Sequence, residues 1–224
     1  MVLFAYKKGS AVLGINERTR MDTYVYRYND ALYINLTNQC TNNCTFCIRN
    51  GHDGVGGYDL RLKRKPEAFE IIQELEKASA IKKAVFCGLG EPTMRLDVLL
   101  RVAAYLKAKG VHVRLNTNGH GSVYAGTDIG PLLRGFVDTV SVSLNASNAA
   151  DYHRDCQSVY GEEAFVHMLN FAKSCVAQGI QTVLTVVDVI GEEEIERCRR
   201  IAEESGAAFR IRHFIEVNTQ SAEN

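Results

Sequence analysis

From residue 31 onward, short runs rich in apolar residues alternate with segments of helical periodicity. We predict strands at 31–37, 83–87, 111–116, 139–145, 180–187 and 208–214. Helical patterns lie between them, at 66–79, 96–109, 129–135, 162–178 and 192–204. Strands that alternate with helices form right-handed βαβ units, so the pattern predicts an α/β fold with a parallel sheet.

The polarity of the strand faces separates the possible α/β architectures. In the strand 111–116, Arg114 and Asn116 share one face, opposite to Val113 and Leu115. Polar residues recur in this way on three further strands: Asn35, Thr37, Ser141, Ser143, Asn145, Arg210 and Arg212. A doubly wound sheet is apolar on both faces, and a closed eight-stranded barrel fills its interior with branched side chains. One polar face instead predicts a partial, TIM-like (β/α)6 barrel whose lumen holds water and a polar ligand.

The two ends of the chain are read separately from this core. A strand at 23–28 and the pair Asn29-Asp30 predict a β-hairpin with the first core strand. Met21 is an alternative start, which would make residues 1–20 a peripheral extension. We expect three parts: an extension with the first hairpin strand at 1–30, a core domain at 31–214 and a tail at 215–224.

Composition excludes several classes of function. The 224 residues include 26 Lys+Arg and 26 Asp+Glu, and this zero balance argues against general nucleic-acid or membrane-surface binding. No apolar run approaches the roughly 18 residues of a transmembrane helix, and no signal peptide is recognisable, so we expect a cytoplasmic protein. Seven cysteines are an odd number for a disulfide framework, and disulfides are uncommon in the cytosol.

Three of the seven cysteines are crowded into eight residues, at Cys40, Cys44 and Cys47, directly after the first core strand. Chemistry in parallel α/β folds lies at this end of the strands. Three thiolates can bind three corners of a cubane iron–sulfur cluster and leave the fourth iron for a substrate or cofactor. Zinc is the alternative, in a binding module without catalysis, but a structural zinc site usually has paired C-x-x-C elements and a fourth ligand. The nearest later candidate is His52.

The motif C-x-x-x-C-x-aromatic-C, with Phe46 as the aromatic, resembles the signature of the radical S-adenosylmethionine (SAM) enzymes. Three further segments resemble motifs of that family, in the expected order: GLGEP at 88–92, NTNG at 116–119, and the strand end with Ser143 and Asn145. The resemblance covers roughly residues 31–214. It implies a partial barrel, a [4Fe–4S] cluster held by the three cysteines, and SAM bound at the fourth iron.

The resemblance also implies roles for individual residues around the cofactor. Glu91 and the backbone at Gly88 and Gly90 would hold the methionine ammonium. The remaining cofactor contacts would be Asn116, Ser143 and Asn145 for ribose or carboxylate, Phe46 and Val187 for adenine, and Arg154 for the methionine carboxylate or a substrate anion.

The implied chemistry is reductive cleavage of SAM to a 5′-deoxyadenosyl radical, which abstracts hydrogen from a small molecule, peptide or protein that the sequence does not identify. An electron donor such as flavodoxin or ferredoxin would be a partner. Two residues after the fourth strand are catalytic candidates: His153 as a proton carrier or substrate contact, and Cys156 as a hydrogen-atom donor. The other cysteines are interpreted as packing residues, namely Cys87, Cys175 and Cys198.

Within the superfamily, the sequence around the cysteines resembles the TatD family-associated radical SAM proteins. The glycyl radical enzyme activases are the alternative, because they share compact length and an L-N-T-N-G segment. This chain has Asn116 and Asn145 where those activases carry charged residues. The glycine-containing loop 48–65 is expected to act as a lid or docking surface.

Overall fold

The sheet follows the predicted strands closely. The computed structural model describes residues 22–50 and 54–213. Its strands are β1 (Val25–Tyr28), β2 (Ala31–Ile34), β3 (Gly54–Val55), β4 (Tyr58–Asp59), β5 (Lys83–Phe86), β6 (His112–Thr117), β7 (Thr139–Ser143), β8 (Gln181–Val187) and β9 (Ala208–Arg212). The predicted extension 1–20, Met21 and the tail 215–224 lie outside the described residues.

Strand order decides the architecture. Seven strands form one sheet in the order β1-β2-β5-β6-β7-β8-β9, and every pair from β2 to β9 is parallel. A doubly wound sheet reverses direction at a switch point, whereas here successive strands are always neighbours. The partial six-stranded barrel is confirmed, and within the described residues the sheet stays open, with β1 and β9 at its edges.

The hairpin prediction is also confirmed. β1 pairs antiparallel with β2, and Val25 lies opposite Ile34. Asn29 has a φ of 51°, a left-handed conformation that asparagine tolerates better than most residues. The turn therefore forms where the Asn29-Asp30 pair predicted it.

Helices cover one face of the sheet. They are α1 (Ala68–Glu76), α2 (Leu96–Ala108), α3 (Gly121–Ala125), α4 (Gly130–Leu133), α5 (Ala149–Cys156), α6 (Glu163–Ala177) and α7 (Glu192–Glu204), with 3-10 turns at Pro92–Arg95 and Asp188–Ile190. The apolar strand face and the helices share one core, in which Val113, Leu115, Val140, Val142 and Leu184 have no exposed surface. No helix among the described residues is long and apolar enough to cross a membrane.

The loop after the cysteines differs from the expected lid. Strands β3 and β4 pair with each other, and Leu60 lies buried in a small cluster with Tyr26 and Leu89. The side-chain Nδ2 of Asn35 donates to the Leu60 carbonyl at 2.7 Å. This part of the loop is therefore packed against the barrel, while Gly51, one of its predicted flexible glycines, lies outside the described residues.

Candidate active site

The three cysteines of the motif lie on the loop that leaves β2 at the carboxyl end of the sheet. Each is part-exposed, whereas Cys175 and Cys198 are fully buried in the core. The loop turns tightly, because the Cys47 amide donates to the Cys44 carbonyl at 3.1 Å. Cys40, Cys44 and Cys47 are thus accessible at a strand end, whereas Cys175 and Cys198 pack in the core beneath the helices.

Each thiol of the loop has its own neighbours. Cys40 Sγ accepts from the Asn42 amide at 3.4 Å and from Asn118 Nδ2 at 3.6 Å. Burial, followed by the charge of Glu91, raises the pKa of Cys40 to about 12. A hydrogen bond with Cys156, followed by burial, raises the pKa of Cys44 well above its usual range. Across 22–50 and 54–213, no three His, Cys, Asp or Glu side chains are already gathered around one point.

Arg49, two residues after the motif, is a functional candidate that the sequence interpretation missed. Its guanidinium donates to the Asn42 carbonyl at 2.8 Å and to the Asn38 carbonyl at 3.4 Å. Burial lowers the pKa of Arg49, but a hydrogen bond to Cys47 and the nearby thiols outweigh it and raise the pKa overall. Arg49 therefore pins the loop and supplies a positive charge beside the thiols, which favours thiolate. The sequence signal that could have indicated this role is an arginine two residues after the last cysteine of the motif.

A buried chain of hydrogen bonds ties this loop to the end of β6. Asn118 Nδ2 donates to Thr41 Oγ1 at 2.8 Å, and Thr41 Oγ1 lies 3.0 Å from His120 Nδ1. His120 Nε2 lies 3.1 Å from the Ala164 carbonyl, which can only accept, so Nε2 carries the proton and Nδ1 accepts from Thr41. Burial lowers the pKa of His120 to about 4, so the ring is neutral at pH 7. His120 was not singled out from the sequence.

Glu91 is buried in the 88–92 turn, and its contact with the methionine ammonium stays a prediction. Oε1 accepts from the Thr93 amide at 3.0 Å, Thr93 Oγ1 at 2.7 Å and Thr117 Oγ1 at 2.8 Å. Oε2 accepts from the backbone N–H of Asn118 at 2.7 Å. Burial raises the pKa of Glu91, although these bonds favour its ionised form. Four protein donors occupy the carboxylate, so its direct role in the structure is to join the ends of β5 and β6.

The glycines of the same motif permit close packing within the protein. A Cβ on Gly90 would lie 2.4 Å from the carbonyl oxygens of Thr37 and Gln39. A Cβ on Gly88 would lie 2.0 Å from Asn35 Oδ1. Both glycines therefore let the 88–92 turn approach the segment that leads into the cysteine loop, which fixes the relative position of the two motifs.

A cavity of about 670 Å3 lies beside the cysteine loop and has Phe46 and Asn145 in its wall. Asn145 is buried with a φ of 59°, and its Oδ1 has no hydrogen-bond partner. An unpaired buried amide oxygen costs free energy that a donor on a bound molecule would recover. Val187 ends β8 and is 8% exposed. These features fit a polar and partly aromatic ligand next to the thiols.

The polar strand face forms the inner surface of the barrel. Asn116 Oδ1 accepts from Arg114 Nε at 2.9 Å, and Ser143 Oγ accepts from Arg212 Nη2 at 3.5 Å. Cys87, expected to be a packing residue, lies on this face instead, where an Asn116 hydrogen bond partly offsets the rise that burial causes in its pKa. The inner face is therefore polar, as its alternation predicted.

The segment that carries His153, Arg154 and Cys156 forms helix α5, which the sequence interpretation missed. The side chain of Asn148 caps it by accepting from the Asp151 amide at 2.9 Å. His153 and Arg154 are exposed on this helix, and Arg154 is paired with Asp151 and Asp155. Arg154 lines the cavity beside Phe46 while it is paired with these two carboxylates. Its expected contact with the methionine carboxylate or a substrate anion stays a prediction.

Cys156, also on α5, is fully buried within the core. It contacts Cys44 and receives a long contact of 3.8 Å from Asn145 Nδ2. A hydrogen-atom donor must reach a substrate, so this burial argues against that role for Cys156. The side chain instead supports the cysteine loop from below.

Comparison with known proteins identifies the family. Residues 34–203 match the sequence profile of the Radical SAM superfamily. The chain belongs to this superfamily. Its members are enzymes that use a [4Fe–4S] cluster and SAM, and the matched residues include the cysteine loop, the 88–92 turn and the sheet strands β5 through β8.

Curated relatives are similar over part of their length. A probable GTP 3′,8-cyclase of Thermococcus kodakarensis is 27% identical over 180 residues, which are 80% of this chain and 55% of that protein. A tungsten-containing aldehyde ferredoxin oxidoreductase cofactor-modifying protein of Pyrococcus furiosus is 31% identical over 94 residues, 39% of this chain and 23% of that one. The chain therefore spans about half or less of the length of these relatives.

Solved structures share the fold at low identity. Streptococcus suis SuiB bound to its precursor peptide SuiA has a TM-score of 0.63 and 16% identity, over 82% of this chain and 39% of SuiB. The SAM-bound enzyme anSMEcpe has a TM-score of 0.60 and 12% identity, over 85% of this chain and 54% of that chain. At these identities the likeness concerns the fold alone.

Proposed function

We propose that this chain is a radical SAM enzyme in which Cys40, Cys44 and Cys47 hold a [4Fe–4S] cluster. The observation that carries the proposal is the position of the three part-exposed thiols, on one loop at the carboxyl end of six parallel strands. When bound, the cluster supplies one electron for cleavage of SAM, which yields a 5′-deoxyadenosyl radical that abstracts hydrogen from a substrate. Three soft cysteine ligands on one loop suit this cluster better than structural zinc, which usually takes paired C-x-x-C elements and a fourth protein ligand.

The chain's own residues supply the positioning. Arg49 and the Asn118–Thr41–His120 hydrogen bonds hold the loop, and Glu91 holds Asn118. Asn145 Oδ1 is available to accept a hydrogen bond from SAM, and Phe46 offers an aromatic surface in the same cavity. Asn116 and Ser143 line the inner face towards which the radical would be directed.

Membership in the superfamily does not identify the substrate. The relatives named GTP 3′,8-cyclase are matched over 55% of their length or less, so their substrate is not carried over as a whole. A glycyl radical activase acting on a partner protein stays a prediction, as do the TatD-associated subfamily and a flavodoxin or ferredoxin donor.

Anaerobic reconstitution with iron and sulfide tests the cluster assignment. We expect about four iron and four sulfide per chain, the composition of a [4Fe–4S] cluster, and loss of most iron in Cys44→Ala. Cys198→Ala is the matched control, because Cys198 is a buried cysteine far from the loop in sequence, and it should keep its iron. About one zinc per chain in anaerobically purified protein, with no iron uptake, would instead support the zinc-stabilised module.

A further inference from the structure

Three arginines lie on the inner face of the barrel. Arg114 is on β6, and Arg210 and Arg212 are on β9, at the open edge of the sheet. Arg114 is half-buried, and the two arginines of β9 are exposed. None of the ion pairs among the described residues involves any of these arginines.

The side chains from β9 lean across β8 and towards Arg114. Arg210 pairs with Thr185, which in turn pairs with Ser143. The Arg210 guanidinium nevertheless donates to Ser141 Oγ at 3.2 Å, one inner-face position nearer the start of β7. Arg212 makes the same displacement and reaches Ser143. The Arg210 guanidinium is therefore brought to the row of Ser141 and Asn116, where Arg114 Nε also donates to Asn116 Oδ1. The Arg212 guanidinium lies one inner-face position further along, at Ser143.

Electrostatics agree with this convergence. Burial lowers the pKa of Arg114, and the charges of Arg210 and Arg212 lower it further. The other groups with a marked effect on Arg114 are Tyr33 and Cys87, both neutral at pH 7 at their shifted pKa values. The three like charges therefore act on one another, and within the part of the chain that the structure describes none of them is ion-paired with a carboxylate, which is unfavourable unless an anion is present.

One guanidinium nitrogen is also left without a partner. Arg114 Nε donates to Asn116 Oδ1, but Nη2 is buried and makes no hydrogen bond. A buried N–H of a charged group without an acceptor is costly, and arginine binds phosphate oxygens through paired donors. Ser141 and Ser143 add hydroxyls at the same place.

We propose that Arg114, Arg210 and Arg212 form a binding site for the phosphate group of a phosphorylated small-molecule substrate. Three positive charges match a phosphate ester or diphosphate better than the single charge of a carboxylate. This inference rests on the proposed function, because it places the substrate in the barrel beside the proposed radical source. It assigns a substrate class, a small anion, and so disfavours a protein glycine as the group attacked.

The test is calorimetric titration of the reconstituted full chain with inorganic pyrophosphate, and separately with acetate. We expect pyrophosphate to bind more tightly than acetate, and Arg114→Gln and Arg210→Gln each to weaken pyrophosphate binding about tenfold or more. Arg210→Gln lies on an exposed edge strand and is expected to fold even if Arg114→Gln does not. Arg101→Gln, an exposed arginine of α2, is the matched control and should bind as the wild type does.

Three outcomes would overturn the proposal: no pyrophosphate binding, equal binding by all three variants, or displacement of pyrophosphate by SAM. Displacement by SAM would assign the arginines to the methionine carboxylate instead. Failure of the proposed function is seen separately, as loss of iron uptake in the wild type. Arginine-dependent pyrophosphate binding without iron uptake would retain the anion site and reject the radical chemistry.

Discussion

The two faces of the barrel sheet differ in packing and in hydrogen bonding. On the helix side, Leu115 and Val140 are fully buried, and the neighbouring helices fill the space around them. On the inner side, Arg114 has an unpaired nitrogen and Asn145 an unpaired oxygen. Packing is complete where stability is needed, and hydrogen bonding is incomplete where a ligand is expected. We therefore expect ligand binding on the inner face of these strands, while their helix-covered face supplies the stability.

The largest effect is expected on the helix side. Leu115→Ala should lower the free energy of unfolding by about 4 kcal/mol, because it removes buried methylene groups and leaves a cavity. Ser143→Ala, on the inner face of the neighbouring strand, is the matched substitution and should cost less than about 1 kcal/mol. Chemical denaturation measures both. Equal losses for the two variants would contradict the division of the faces.

Glu91 lies at the carboxyl ends of β5 and β6, between the helix-covered face and the inner face of the sheet. Glu91→Ala should lower the free energy of unfolding by about 3 kcal/mol, because it leaves the backbone N–H of Asn118 and the Thr117 hydroxyl without their acceptor in a buried site. Since Asn118 also holds Thr41, we expect the variant to retain less iron after reconstitution. Full iron content with weaker SAM binding would restore the interpretation of Glu91 as a direct ligand of the methionine ammonium.

The neutral His120 makes the site end of the barrel sensitive to acid. Its pKa is about 4 in the folded protein, below the ordinary histidine value of 6.5, so below pH 6.5 the unfolded state binds more protons. Stability from this residue is complete above pH 6.5 and is lost as pH falls towards 4, by about 2 kcal/mol between pH 7 and pH 5. His120→Gln should flatten that part of the stability profile. An unchanged profile would mean that His120 is not buried in its neutral form.

The smallest effect is expected at Arg154. Its partners Asp151 and Asp155 are on the same exposed helix, and exposed ion pairs contribute little. Arg154→Ala should change stability by less than about 1 kcal/mol and SAM affinity by less than about threefold. A large loss of SAM affinity, measured by equilibrium dialysis, would return Arg154 to the cofactor site.

The fold was predictable because it depends on periodicity. Alternation in β6 and β7 separates a core face from a polar face, and sequential βαβ units leave few arrangements. The cysteine loop was predictable from its spacing. Helix α5 was missed because it is short and polar, although Asn148 and Asp151 carried a capping signal.

The roles of Glu91 and His120 were not predictable in the same way. Each depends on partners distant in sequence, such as Asn118 for Glu91 and Ala164 for His120. The position of Glu91 in the GLGEP motif indicated a residue of the site. It did not indicate whether the carboxylate binds a ligand or other residues of the protein. Cys156 was misplaced for the same reason, because its burial under Cys44 depends on how α5 packs.

The most direct test of the central claim is release of 5′-deoxyadenosine. The reconstituted chain is incubated anaerobically with SAM and dithionite, beside Cys44→Ala and Cys198→Ala at matched protein concentration. We expect 5′-deoxyadenosine from the wild type and from Cys198→Ala, and none above background from Cys44→Ala. No product from a wild-type chain that has taken up its iron, or equal product from Cys44→Ala, would contradict the radical SAM chemistry proposed for this chain.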